Sequence, residues 1–552
     1  MATRLLSPKL LNDLRYFTRP LNSASSASIT AVSPLNFDEK PEPAAAAVEK
    51  PPINQPSATF DLNDHQKLFD SVSTLRLLRS SANLALASIE PFVDFGMWVM
   101  NSRLMETSLI RDVILKTVKH TFFEHFCAGE NTKEAGECVR KIHEAGLRGM
   151  LGYAVEHTSD NAGCERNLEG FLRSVEFAKS LPPSSGSHQD PCSEFYKKKG
   201  DIGVQLASSL AGFGLCPVSL CLSSHVVSFV IAKITAICPI NLVRRVSDLL
   251  RWQYKDPSFN LPWKLNTFPI FSDSSPLYHT PQRPEPLTPQ EELDFQLAHQ
   301  RLLKLCQKCV EDNVALTIDA EDTSLQPAID YLTYSSALMY NRDDNPIVYG
   351  TIQAYLKDAK ERLFLAEKTA EKLGIPMGFK LVRGAYMTSE RKLASSLGYD
   401  SPIHNSIQET HACYNDCASF MLERIADGHG AVVLATHNVE SGKLAASKAR
   451  DLGIQKGNQK LEFAQLYGMS EALSFGLRNA GFQVSKYLPY GPVDMVMPYL
   501  LRRAEENRGL LSTSSLDREL MGKELKRRLK NLQFSKPEIT ASRSIKVEIG
   551  TQ

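Results

Sequence analysis

Residues 482–509 read FQVSKYLPYGPVDMVMPYLLRRAEENRG, and this stretch divides into an extended approach, a turn and a helix. Gln483, Val484 and Ser485 lead to Tyr487 as a strand, and Pro489, Gly491 and Pro492 mark a turn over residues 488–492. A helix then runs to about Asn507, with Pro498 in its first turns and Gly509 as its stop. On that helix Tyr499, Arg502, Arg503 and Glu506 fall at spacings of three and four, so they share a face. Adjacent arginines beside a tyrosine suit a bidentate clamp for a small carboxylate. A solvated arginine pair on a surface helix fits the same spacing, and the rest of the chain has to decide.

Working backwards, the strand-then-helix unit recurs. Candidate strands are 150–155, 227–235, 314–319, 348–354, 378–383, 431–436, 461–467 and 483–487, with helical stretches such as 291–312, 356–373, 403–427 and 439–452 between them. Eight strands, each followed by a helix, within 146–511 make an α/β fold of the (β/α)8 TIM-barrel type, distorted by insertions. A doubly wound open sheet is the alternative, because alternation alone does not prove closure. Before it, residues 60–145 read as a helical arm, and residues 35–59, with PEPAAAAVEKPP, as a flexible linker.

Residues 1–34 differ in kind. Arg4, Lys9, Arg15 and Arg19 interleave with leucines, serine is dense from Ser23 to Ser28, and Asp13 is the only acid before Asp38. That pattern describes an organelle transit peptide, most simply mitochondrial; chloroplast import or a disordered basic tail has the same composition. Two further segments break the strand–helix rhythm. Residues 186–225 begin Ser- and Lys-rich, and from Ile202 to Ala232 no charged residue occurs, a length that would allow a membrane span. Its serines, Pro217 and direct entry into a strand favour a buried or irregular insertion. The second, 254–290, carries eight prolines and reads as a long loop. The tail, 512–552, contains a short basic amphipathic helix in which Leu525, Leu529 and Leu532 oppose Lys523, Lys526, Arg527, Arg528 and Lys530. Contact with anionic membrane lipid and simple capping of the barrel are equally compatible with it.

Composition narrows the chemistry. With 63 Lys+Arg against 62 Asp+Glu, no global field points to nucleic acid. The 11 cysteines include a lone CxxC at Cys306 and Cys309 and a pair one helical turn apart, Cys413 and Cys417. A zinc site needs a second pair at ligand spacing, so the thiols read as small buried residues and no metal is expected. There is no GxGxxG opening a helix, no GxxxxGK[ST], no GxSxG and no HExxH.

In a (β/α)8 barrel the site forms at the C-terminal ends of the strands. Here those ends carry Lys233, Asp319, Gln353, Lys380 with Arg383, Thr436 with His437 and Asn438, Gln465 with Tyr467, and Tyr487. Each alone is ordinary. Together they follow seven apolar runs, and burying them without partners would cost roughly a few kcal/mol each. The ring implies a polar ligand in the barrel mouth. Lys380 and Arg383 beside Gly384 and Ala385 suit a flat, anionic cofactor, and Arg502 with Arg503 would meet a carboxylate above it.

The segments IDAED (318–322), TIQAY (351–355), KLVRGAYM (380–387), LATHN (434–438), EFAQLYGMSE (462–471) and YLPYGP with PYLLRRAEENRG (487–509) resemble the proline dehydrogenase family, and its plant mitochondrial members most. The resemblance spans residues 60–183 and 227–530. It implies a distorted barrel with non-covalent FAD that oxidises L-proline to Δ1-pyrroline-5-carboxylate and passes electrons to ubiquinone. The matrix side of the inner mitochondrial membrane would be the place. Carried over by position, Arg502 and Arg503 grip the carboxylate with Glu506 orienting them. Lys233 and Asp319 lie on the amine and ring side, with Tyr386, Tyr487 and Tyr499 around the ring. Gln353, Lys380, Arg383, Gly384, Ala385, Thr436, His437, Asn438 and Gln465 fall where the family binds FAD. Lys380 replaces an arginine of bacterial relatives, keeping charge and losing the fork. Segment 186–225 has no counterpart in the resemblance. Two other readings stand beside this one: a Schiff-base aldolase-type barrel with a lowered-pKa Lys233 as nucleophile, and an inactive variant whose insertion displaces the Lys233 strand.

Overall fold

The computed structural model describes residues 60–100, 102–181, 226–509 and 511–534. The expected leader (1–34), linker (35–59) and insertion (186–225) therefore lie outside the described residues. Eight strands form: β1 Arg148–Tyr153, β2 Val227–Ala232, β3 Ala315–Ile318, β4 Val348–Gln353, β5 Gly378–Val382, β6 Ala431–Ala435, β7 Leu461–Leu466 and β8 Val484–Tyr490. All neighbours pair in parallel, and β8 pairs back onto β1, so the barrel is closed and the open-sheet alternative falls.

Closure follows from two-sided burial. Met150, Phe229, Ile231, Tyr349 and Val433 point inward and form one cluster, with Phe229 and Tyr349 edge to face at 4.8 Å. Their neighbours along the strands, such as Leu151, Val230, Ile352, Phe379 and Leu488, join the larger core beneath the helices. Strands apolar on both faces are the signature of a parallel sheet covered by helices. The helices have firm starts: Thr288 with Glu291, and Ser406 with Glu409, form capping boxes for Pro289–Asp312 and Ile407–Ala426.

Two strand ends differ from the sequence reading. β2 stops at Ala232, and Lys233 lies at the N-cap of a one-turn helix, Ile234–Ile237, instead of inside a strand. β8 runs on to Tyr490, where a turn is expected from Leu488. Leu488, Pro489 and Tyr490 pair with Leu151, Gly152 and Tyr153 of β1, so the closing partner overrides the local turn signals. Segment 254–290 is without strand, and after the helix Ile240–Lys255 no helix begins until Pro289. Among the described residues no helix is long and apolar enough to cross a membrane, and the charge-free run enters β2. The eight described cysteines are buried free thiols.

The tail is less separate than its composition implies. Helix Leu511–Phe534 packs on Thr74–Ala87 of the arm and on Glu471–Asn479 of the barrel. Buried Glu524 accepts from Arg527 and Arg528, and Arg528 also donates to the carbonyls of Phe69 and Val72, both at 2.7 Å. Arg528 therefore docks the helix and Arg527 braces Glu524 within it, while Lys523, Lys526 and Lys530 remain exposed.

The same helix completes a cap. Ser470 precedes Glu471–Asn479 in a left-handed conformation and gives no side-chain cap bond. Asp517 supplies it from the tail, accepting from the N–H groups of Glu471 (2.9 Å) and Ala472 (3.0 Å). Asp517→Ala should therefore destabilise the protein by about 1–2 kcal/mol, as loss of a helix cap does. Urea unfolding measures it, and an unchanged midpoint would mean that the tail helix does not support the barrel.

Candidate active site

The ends of β1, β2 and β8 and the helix Val493–Gly509 line a cleft, with Glu156, Lys233, Tyr487, Tyr499 and Arg502 among its residues. Its centre is a carboxylate between two cations. Glu156, beyond the end of β1, accepts two parallel hydrogen bonds from Arg502, at 2.5 and 2.9 Å. Lys233 Nζ lies 3.3 Å from Glu156 Oε2 and donates to the Tyr386 hydroxyl at 3.0 Å. Glu156 and Lys233 side chains are 8% and 14% exposed, so this electrostatics acts largely out of water.

Burial opposes the charge on Glu156, but Lys233 and Arg502 together bring its carboxyl down to about 2. Burial likewise pulls Lys233 down, yet the fields of Tyr386, Glu321 and Glu156 more than offset it and the net shift is upward. Lys233 is thus held as an ammonium. A Schiff-base nucleophile needs the opposite shift, and that reading loses its physical basis.

Around this cluster stand aromatic rings and a second ion pair. Tyr487 and Tyr499 stack with centroids 6.2 Å apart. Lys380 pairs with Asp319 and lies 5.7 Å from the centre of the Tyr487 ring. Arg502 faces the cleft, whereas the Arg503 guanidinium lies over the Tyr499 ring at 5.0 Å. The adjacent arginines thus occupy different settings, and neither is a solvated surface residue. Glu506 belongs to the same helix, Val493–Gly509, but its side chain lies outside those described.

The other half of the rim is polar and differently organised. Arg383 donates to His411 Nδ1 (3.0 Å), Thr436 Oγ1 (2.7 Å) and Ser441 Oγ (2.8 Å), and its guanidinium lies 4.4 Å from the centre of the Tyr414 ring. All three acceptors are uncharged at neutral pH, and burial draws the guanidinium pKa down. A partly buried cation with only neutral hydrogen-bond partners fits an anionic group at its side. Asn438 caps the helix Val439–Asp451 through the Ser441 N–H, and Gln465 donates to the Thr436 carbonyl at 3.3 Å. Gln353 donates to the Glu321 carbonyl at 2.8 Å. His437 is pushed down to about 3 by burial and by Lys486, Arg503 and Arg383, so it is neutral. Its Nε2 accepts from the Leu466 N–H at 3.1 Å, which assigns the ring proton to Nδ1.

Gly384, with φ +132°, adopts a backbone conformation that side chains rarely tolerate, and an added Cβ would lie 2.4 Å from the Tyr355 ring. Ala385 continues that bend towards Tyr386. Gly384 is therefore required first by the backbone and by Tyr355.

Sequence reasoning missed two carboxylates of the site, one lining the cleft and one buried behind it. Glu156 directly follows the candidate strand 150–155, the one strand for which no polar end was singled out. Glu321 lies inside IDAED, where Asp319 drew the attention; it has no exposed surface. The signal available for both was a carboxylate within a few residues of a strand's C-terminal end.

Residues 135–515 match the family described as proline dehydrogenase. Over 532 residues the chain is 53% identical to proline dehydrogenase 2, mitochondrial, of Arabidopsis thaliana, covering 96% of this chain and 99% of that one. It is 40% identical over 417 residues to hydroxyproline dehydrogenase of Xenopus laevis, covering 75% and 79%. Among solved structures, proline utilization A of Bdellovibrio bacteriovorus aligns with a TM-score of 0.53 at 19% identity. That alignment covers 83% of this chain and 40% of the other, and it speaks for the barrel fold alone. On the family match and on identity along nearly the whole length, the chain belongs to the proline dehydrogenase family.

Proposed function

We propose that the protein oxidises L-proline to Δ1-pyrroline-5-carboxylate with non-covalent FAD, and that the electrons pass to the ubiquinone pool at the matrix side of the inner mitochondrial membrane. The observation that carries the substrate half is the Glu156–Lys233–Arg502 cluster beneath two stacked tyrosines. The mitochondrial name of the Arabidopsis relative supports the location. It also agrees with the leader expected at residues 1–34. For contact with anionic lipid, the tail helix leaves its exposed lysines.

Arg502 and Arg503 supply positive charge for the proline carboxylate, Arg502 from the cleft wall and Arg503 from behind Tyr499, with Glu506 on the same helix. Tyr386, Tyr487 and Tyr499 enclose the ring and exclude water. Lys233 is kept charged, so it cannot take a proton from the substrate amine. Its field, together with that of Arg502, disfavours a second ammonium nearby and promotes the neutral amine, whose lone pair forms the C=N bond as the adjacent ring carbon gives up a hydride. Asp319 holds Lys380 at the boundary between the two halves of the rim. The residues that would hold FAD are Gln353, Lys380, Arg383, Gly384, Ala385, Thr436, His437, Asn438 and Gln465. Arg383 and the neutral His437 offer donors to its anionic and polar parts. When bound, FAD supplies the two-electron acceptor that no side chain provides.

The purified full-length protein should carry a flavin spectrum that bleaches on anaerobic addition of L-proline; a colourless protein, or one that bleaches no faster than with buffer, would contradict the reading. Charge-assisted bonds to a carboxylate contribute about 1.5–3 kcal/mol. Arg502→Met and Arg503→Met should therefore each lower kcat/KM for L-proline by about ten- to a hundredfold or more, with flavin retained. Prolinol, which has no carboxylate, should lose little further in either variant. Equal losses with both compounds would place the arginine in the fold instead. Gly384→Ala should cost about 1–3 kcal/mol from backbone strain alone, and more from the Tyr355 contact. It should appear as a lower urea midpoint with or without added FAD; a normal midpoint would show that the bend tolerates a side chain.

A further inference from the structure

Beneath the cleft lies a carboxylate that the mechanism above does not use. Glu321 has no exposed surface, and each of its carboxylate oxygens is engaged by a different loop. Oε1 accepts from Thr235 Oγ1 at 2.8 Å, and Oε2 lies 3.1 Å from His157 Nε2. Its backbone is fixed too, the N–H donating to Gln326 Oε1 (2.9 Å) and the carbonyl accepting from Gln353 (2.8 Å). The His157 N–H in turn donates to Thr235 Oγ1 at 3.2 Å, which closes a ring of three residues. His157 has φ +57°, a left-handed conformation uncommon for a residue with a side chain, and the ring holds it there.

The positions of these residues give the ring its meaning. His157 follows Glu156, Thr235 is two residues beyond Lys233, and Glu321 is two beyond Asp319. One buried carboxylate thus ties together the loops after β1, β2 and β3 that carry the charged residues of the cleft.

We propose that the Glu321–His157 pair is a positioning device for proline oxidation: it sets the spacing of Glu156 and Lys233, and through Glu156 the place of Arg502. This rests on the function proposed above. Neither residue needs to touch the substrate. The charged groups around the His157 ring are Glu321 beyond β3, Lys233 beyond β2 and its own neighbour Glu156. The hydrogen bond to Glu321 raises the imidazole pKa above its ordinary value, so the pair is ionic until the pH rises through that raised value. Above it the pair weakens to a neutral hydrogen bond, and substrate binding should weaken with it.

Two variants test this, since the His157 side chain is 43% exposed and its replacement should fold even if that of Glu321 does not. His157→Gln should raise KM for L-proline by about tenfold, change kcat by less than about threefold, and leave flavin content and melting temperature near those of the wild type. The wild-type KM should rise with pH through the imidazole range, and this rise should be absent in His157→Gln. Glu321→Gln should raise KM similarly, and the double variant should be no worse than the poorer single, because both act through one pair. An unchanged KM per bound flavin in His157→Gln, or additive losses in the double variant, would overturn the proposal. Wild-type turnover of L-proline in the same series separates the two ideas. Its absence overturns the functional reading as well, whereas an active wild type with indifferent variants overturns only the positioning role.

Discussion

The carboxylate of Glu156, held between Arg502 and Lys233, is the interaction on which the rest of the site depends. It lets two cations stand next to each other in a nearly dry cleft. Without it their mutual repulsion and desolvation would be uncompensated, and one of them would lose its charge or turn outward. With it, the two cations are held when nothing else is bound, and in the proposed function they would present positive charge to an incoming acid. The same carboxylate that makes room for Lys233 helps to keep it protonated, which works against a nucleophilic role for it.

Barrel closure makes that interaction available. Glu156 follows β1, Lys233 follows β2 and Arg502 lies on the helix after β8, so the three are far apart in sequence and meet only because β8 pairs with β1. The last three residues of β8 strengthen this seam beyond what the local sequence predicts. The tail reinforces the same region from outside, with Asp517 capping the helix that follows β7.

Much of this was legible in the sequence, and the reason differs by element. The strands could be read because a parallel barrel demands apolar runs buried on both faces, a pattern that few other structures produce. Lys233, Asp319 and Arg383 could be read because a charge at the end of such a run is conspicuous. Glu156 could not, since it is followed by another polar residue, His157, and its importance comes from partners more than 70 residues away. The end of β2 was misplaced because Ile234 and Thr235 are β-branched, and only tertiary packing turns them into a helical turn. Whether the tail helix caps the barrel or meets lipid was open in the sequence, because composition shows its arginines but not that Glu524 is buried and engages them.

In the proposed function Arg502 receives the substrate carboxylate in this cleft. The most direct measurement is a crystal structure with tetrahydrofuran-2-carboxylate, which keeps the ring and the acid of proline but has no amine to oxidise. Its carboxylate should lie within hydrogen-bond distance of the Arg502 guanidinium, with its ring between Tyr386, Tyr487 and Tyr499. A carboxylate bound elsewhere, with the two Glu156–Arg502 hydrogen bonds unchanged, would contradict it.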